Sequence, residues 1–211
     1  MSDSTSGLDA LIEEAGNLAG VSLSARQVDQ LVAYWSVLGR WNAKVNLTSL
    51  PLVHPTREAV RRLIWEPLFA SLLDVGEPRA WFDLGSGCGS PAIPMKVARP
   101  AIPLSMVESR SRKVAFLREA VRAADLRGAE VINCRIENVS KAVGTGSIDL
   151  VTLRAVKLTR QIVGSMAALV RPGGKLILFG CPDRTSLDPS FEELMSTSGI
   201  SLLTRRSVPR A

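Results

Sequence analysis

The sequence predicts an α/β fold: a mainly parallel sheet with helices on both faces over residues 80–211, preceded by an N-terminal helical cap over residues 1–79. Three observations predict it. Before residue 80 the apolar residues recur at helical spacing. From Ala80 onward, short β-rich runs alternate with helical stretches, the pattern of a parallel sheet covered on both sides. The first of those runs ends in a glycine-rich turn, Asp83-Leu84-Gly85-Ser86-Gly87-Cys88-Gly89, that leads into a helix. A chain of 211 residues suits one compact unit built this way.

The elements follow in order. Leu8, Leu11, Ile12, Ala15, Leu18 and Ala19 define a first helix that stops at Gly20. Ser24, with Gln27 three positions later, forms a capping box for a second helix, whose apolar stripe is Val28, Leu31, Val32, Trp35 and Leu38. A third helix follows Thr56, with Val60, Leu63, Ile64 and Leu68 facing inward and Pro67 kinking it. Strands are expected at 80–84, 104–108, 130–133, 149–153 and 175–179. Helices near 91–98, 111–125, 136–142 and 157–169 separate them. Arg171-Pro172-Gly173-Gly174 reads as a turn before the fifth strand, and a helix near 188–197 and a strand near 200–207 finish the chain.

Composition narrows the function. Net charge is +6, but the first twenty residues hold four acids and no Lys or Arg, which leaves +10 on the remainder. Such an excess points to a polyanion such as nucleic acid, although a solvated Lys/Arg-rich face has the same composition. Helix 111–125 shows the same ambiguity, with Arg112, Lys113, Arg118 and Arg122 opposite Val114, Leu117 and Val121. Cys88, Cys134 and Cys181 are too few and too scattered for a disulfide framework or a metal site, and His54 is the only histidine. No apolar run approaches the roughly 20 residues that span a bilayer, and the N-terminus lacks the positive start of a signal peptide. The expectation is a monomeric cytoplasmic protein with no membrane partner and no metal.

The chemistry concentrates at the strand ends. Gly85, Gly87 and Gly89, with Ser86 between them, let the backbone approach a ligand closely. The turn continues into Ser90-Pro91-Ala92-Ile93-Pro94, which offers fewer free N–H groups to a phosphate than a dinucleotide site requires. Asp83 ends the first strand, where its carboxylate favours a cationic group. Glu108 ends the second, 19 positions after Gly89, where an acid can accept bonds from both ribose hydroxyls. A cationic nucleoside, S-adenosylmethionine, matches this set. Arg135, Ile136 and Glu137 follow the third strand, where a nucleoside base would pass. Arg154 follows the fourth on the methyl-transfer side and is the candidate catalytic residue. It is placed to bond the cofactor's carboxylate or an RNA phosphate, or else to make a structural ion pair.

Two groups that modify bases are missing. After the fourth strand there is no Asn-Pro-Pro-Tyr for an exocyclic amine and no Pro-Cys for pyrimidine C6. Cys181 follows the fifth strand without a second suitably placed cysteine and reads as a bystander. Guanine N7 carries a free lone pair, so its methylation demands alignment and no base.

Several segments together resemble the bacterial ribosomal small-subunit methyltransferase G family, RsmG, also called glucose-inhibited division protein B. They are Trp41-Asn42-x-x-x-Asn46-Leu47-Thr48-Ser49, the glycine-rich turn through Pro94, Glu108-Ser109-x-x-x-Lys113-Val114-Ala115-Phe116-Leu117-Arg118-Glu119, and Arg135-x-Glu137. The resemblance implies a class I, Rossmann-like methyltransferase acting on guanine N7 in 16S rRNA or the small subunit. It implies that the three glycines line the cofactor, Glu108 holds the ribose, Ile136 and Glu137 flank the adenine, and Arg135 and Arg154 bind cofactor or RNA. Asn42 and Asn46 are expected to make buried structural hydrogen bonds.

The chain departs from that family at several points. Ser90 stands where members carry a bulky residue and Ala92 where they carry glycine. Arg62-Leu63-Ile64-Trp65-Glu66-Pro67-Leu68 replaces Arg-His-x-x-Asp-Ser-Leu, and Gly180-Cys181-Pro182-Asp183 lacks a family lysine. The end at Ala211 predicts a shortened or missing final antiparallel strand and an open sheet edge. The alternatives to rRNA methylation are a divergent rRNA-binding or assembly protein, and methylation of a small molecule or a protein.

Overall fold

The capping box forms as the sequence predicts. Ser24 Oγ accepts from the Gln27 N–H, and Gln27 Oε1 accepts from the Ser24 N–H, opening α2 (Ala25–Val45). In this computed structural model, which describes residues 3–180, 187–197 and 199–206, α2 follows α1 (Asp3–Ala19). α2 stops at Asn46, a left-handed cap with φ of 37°. Asn42 fixes the exit: its Oδ1 accepts from the Leu47 and Thr48 N–H groups, while its Nδ2 donates to the Thr48 carbonyl. The expected structural role of Asn42 is therefore seen. Asn46 is exposed and is a cap residue instead of a buried hydrogen-bonding one.

The helix after Thr56 runs to Ala70 in three pieces: α3 (Arg57–Val60), a π-helical turn (Arg61–Trp65) and α4 (Glu66–Ala70). Pro67 has no N–H, so it cannot bond the carbonyl of Leu63. The Glu66 N–H reaches back five residues to Arg61, which frees the carbonyl of Arg62 as well. Two successive carbonyls are thus left for side chains from the sheet domain.

The sheet has seven strands in the order β3-β2-β1-β4-β5-β7-β6. β1 (Trp81–Leu84), β2 (Leu104–Glu108), β3 (Ala129–Asn133), β4 (Ile148–Arg154) and β5 (Val170–Phe179) are parallel, and β7 (Ile200–Arg205) runs antiparallel beside β5. The crossovers are α5 (Ala92–Ala98), α6 (Ser111–Ala123), a 3-10 turn (Ile136–Asn138) leading into α7 (Val139–Val143), and α8 (Arg160–Leu169).

Two expectations change. The predicted turn at Arg171–Gly174 lies inside β5, where a register shift sets five residues, Val170 through Gly174, against Ile148 and Asp149. The predicted helix near 188–197 is instead β6 (Phe191–Thr197), because pairing with β7 satisfies its backbone and buries Phe191. That hairpin places two antiparallel strands beyond β5 among the described residues. The outer strand β6 shows Glu192 and Glu193 to solvent, a charged edge that discourages further pairing. Cys181, Pro182 and Asp183 lie outside the described residues.

Period-two alternation sorts the sheet into two cores. Phe82, Leu84, Val107, Val151, Leu153, Leu176 and Leu178 pack against α7 and α8. Trp81, Leu104, Met106, Leu150, Ile177 and Phe179 pack against α1 to α6, so the N-terminal helices share a core with the sheet. No helix among the described residues is long and apolar enough to cross a membrane.

Candidate functional site

The same alternation places Asp83, Thr152 and Arg154 on the face toward the N-terminal helices, with Asp83 directly opposite Thr152 in register. A buried relay joins them: Trp81 Nε1 donates to Thr152 Oγ1 at 3.0 Å, and Thr152 Oγ1 donates to Asp83 Oδ1 at 2.6 Å. Asp83 is 1% exposed, and its second oxygen, Oδ2, has no hydrogen-bond partner. Burial pushes its carboxyl up to about 6, while the Thr152 hydroxyl and the positive charge of Arg154 pull the other way. A buried acceptor without a donor is costly, so a cationic ligand group at Oδ2 relieves a standing penalty.

The glycines shape the turn. Gly85, Gly87 and Gly89 all have positive φ, at 75°, 49° and 84°. A Cβ at Gly85 would sit 2.6 Å from Val156 Cγ2 and 3.8 Å from Ile136 Cδ1, so the turn threads between those side chains. The Gly85 and Ser86 N–H groups both bond the Val107 carbonyl, and Ser86 Oγ donates to the Asp83 carbonyl. Glu108 stands across the turn: Oε2 accepts from the Gly87 N–H at 3.1 Å, and Oε1 from the Arg110 N–H at 2.8 Å. Each oxygen keeps a further lone pair, enough to receive two ribose hydroxyls.

The structure thus gathers Asp83, Ser86, the three glycines, Glu108 and Ile136 around one turn. Glu137 is half-buried in the 3-10 turn beyond β3, whereas Arg135 is exposed. Arg154 is held by the N-terminal helices. Its Nη1 donates to the freed Arg62 carbonyl, its Nη2 to Glu66 Oε2 at 2.9 Å, and its guanidinium lies 4.4 Å from the Phe179 ring centre. Glu66 also meets Arg61 at 2.9 Å. Arg154 Nε is buried without a partner. His54 is exposed in a turn.

Sequence reasoning missed three residues that hold the turn or Arg154, namely Tyr34, Glu66 and Thr152, and singled out Ser90 only as a departure from the family. Tyr34 donates to the Cys88 carbonyl at 2.8 Å, and its Cε2 would lie 3.2 Å from a Cβ on Gly89. Ser90 donates to the freed Leu63 carbonyl at 3.0 Å. Of the three missed, only Thr152 carried a signal, as the residue two before Arg154 on the same strand face.

Comparison with known proteins identifies the family and the fold. Residues 27–196 match the GidB family, rRNA small subunit methyltransferase G. The chain belongs to this family. Among its relatives, ribosomal RNA small subunit methyltransferase G of Syntrophotalea carbinolica is 32% identical over 82% of this chain and 77% of its own length. The Stenotrophomonas maltophilia K279a protein of the same name is 36% identical over 76% of this chain and 72% of its own. Of solved structures, an O-methyltransferase family protein from Burkholderia thailandensis aligns with a TM-score of 0.55 at 19% identity, over 90% of this chain and 75% of its own. A SAM-dependent methyltransferase from Aquifex aeolicus aligns at 0.53 and 11% identity, over 69% and 92%. These two show that this member of the GidB family has the Rossmann-like class I methyltransferase fold.

Proposed function

We propose that this chain, an S-adenosylmethionine-dependent methyltransferase of the rRNA small subunit methyltransferase G family, methylates guanine N7 in 16S rRNA as a monomer in the cytoplasm. The observation that carries the cofactor side is the unpartnered Oδ2 of Asp83 at the head of a turn of three positive-φ glycines. When bound, S-adenosylmethionine supplies an electrophilic methyl group. Asp83 receives its ammonium group, Glu108 its ribose hydroxyls and Ile136, with Glu137, its adenine. Gly85, Ser86, Gly87 and Gly89 line its path, and Arg135 stands at the exposed rim.

Arg154 acts from beneath this site. Its two terminal nitrogens tie Arg62 of the π-helical turn and Glu66 of α4 to β4, and its positive charge favours the ionised form of Asp83. The two carboxylates at the turn, Asp83 and Glu108, are both given to cofactor binding. This suits an acceptor such as guanine N7, which needs its lone pair aligned with the methyl and not a proton removed.

Two measurements test the reading. Calorimetric titration with S-adenosylmethionine should show binding, and none at millimolar ligand would reject the enzyme. Mapping N7-methylguanosine in 16S rRNA with and without the gene should show one site lost. Unchanged methylation would reject the assignment and leave the fold intact.

A further inference from the structure

Trp41 and Phe116 meet edge to face, 6.2 Å between ring centres, and seat the C-terminal half of α2 along α6. Because α2 stops at the left-handed Asn46, the chain turns away before it reaches the start of α6. A notch of about 450 Å³ is left between the two ends. Its walls are Lys44, Val45 and Asn46 on one side, and Arg110, Ser111, Arg112 and Lys113 on the other. No acidic side chain lines it.

The charge pattern along this seam is uneven. Further along, Arg40 and Trp41 both bond Glu119, and Arg26 bonds Asp125. At the notch, by contrast, none of Lys44, Arg110, Arg112 and Lys113 makes an ion pair among the described residues. The neighbouring carboxylate, Glu108, already accepts from two backbone N–H groups. Four cations drawn together without a counter-charge repel one another unless a polyanion is present. The notch also opens on the cofactor turn, since Lys113 Nζ lies 3.9 Å from the position of a Cβ on Gly87.

We propose that this notch is a phosphodiester-binding track for the RNA substrate, with Lys44, Arg110, Arg112 and Lys113 on backbone phosphates and Asn46 as a further donor. It rests on the rRNA reading above and adds to it the surface along which the strand runs. Lys44, Arg110 and Arg112 are exposed and Lys113 is half-buried, and cations without ion-pair partners lose little on meeting a phosphate. Each released counterion makes binding depend on salt.

The test is the salt dependence of binding to an in vitro transcript of 16S rRNA, with the full chain and two double variants. K44Q/R112Q removes two notch charges. K141Q/R160Q removes two exposed charges from α7 and α8, on the opposite face of the sheet. The notch variant should lower the slope of log affinity against log salt by about 1.8 and weaken binding about tenfold or more near 0.15 M salt. Its melting temperature and S-adenosylmethionine affinity should be unchanged, and methylation should show a raised KM for RNA with kcat held. The control should leave slope and affinity near those of the parent. Equal losses in both variants, or none in the notch variant, would overturn the proposal. A parent chain that binds the transcript but does not methylate it would reject the rRNA-methylation reading, while the salt slopes still decide the notch.

Discussion

Ser90 donates its hydroxyl to the carbonyl of Leu63, 3.0 Å away, and that carbonyl is free because Pro67, four residues further on, has no N–H to offer it. The residue that interrupts the helix and the residue that leaves the glycine-rich turn are therefore two parts of one contact.

The contact predicts a coupled pair. Ser90→Ala should cost about 1 kcal/mol in urea denaturation, since it strands a buried carbonyl. In a Pro67→Ala background the residue-67 N–H can serve Leu63, so the same change should cost about 0.5 kcal/mol less or better. Equal costs in both backgrounds would show that the carbonyl does not depend on Ser90.

Arg154 and Glu66, at 14% and 10% side-chain exposure, form a nearly buried pair in which burial opposes the Arg154 charge and Glu66 offsets it. Removing either partner leaves a charge in a poorly solvated place. Arg154→Ala should destabilise by about 3 kcal/mol, and Glu66→Ala by a similar amount. The double variant should cost at least 1 kcal/mol less than the sum. Additive losses would mean that the two side chains act independently.

Asp83 predicts opposite pH trends for stability and binding. A carboxyl whose pKa rises on folding, here from 3.8 to about 6, binds its proton more tightly when folded. Its contribution to stability therefore declines as pH rises through that window. An ammonium ligand favours the ionised form, so S-adenosylmethionine affinity should rise with pH and fall up to about tenfold per unit below pH 6. Asp83→Asn should flatten both trends. Calorimetry between pH 5 and 7 that finds constant affinity for the parent chain would remove Asp83 from the cofactor site.

Gly85 combines a φ of 75° with a side-chain neighbour 2.6 Å from where a Cβ would stand. Gly85→Ala should cost about 2–3 kcal/mol, from left-handed strain plus overpacking, and should weaken cofactor binding. The contact atom belongs to Val156, so adding Val156→Ala should recover about 1 kcal/mol by thermal denaturation. No recovery would place the whole cost in the backbone.

The sequence by itself determined the alternation of strands and helices from Ala80, the glycine-rich turn, and Asp83 and Glu108 at the ends of the first two strands. These were legible because each depends on local signals: period, turn residues and fixed spacing along the chain. The Ser24 capping box and the kink at Pro67 were legible for the same reason.

Tertiary structure decided the rest. Residues 191–197 carry helix-forming residues and no strong alternation, yet they form β6, because β7 offers a ladder that only a neighbouring strand can supply. Tyr34 and Glu66 bear no mark of their roles in the sequence, and Ser90 and Thr152 show only their positions, after the turn and two before Arg154, since what each one does depends on a carbonyl, carboxylate or guanidinium that lies from 27 to 88 residues away. Arg154 shows the limit most clearly. Its place at the end of β4 could be read from the chain, but its partners could not, because one is a carbonyl left free by a π-helical turn and the other a carboxylate 88 residues away.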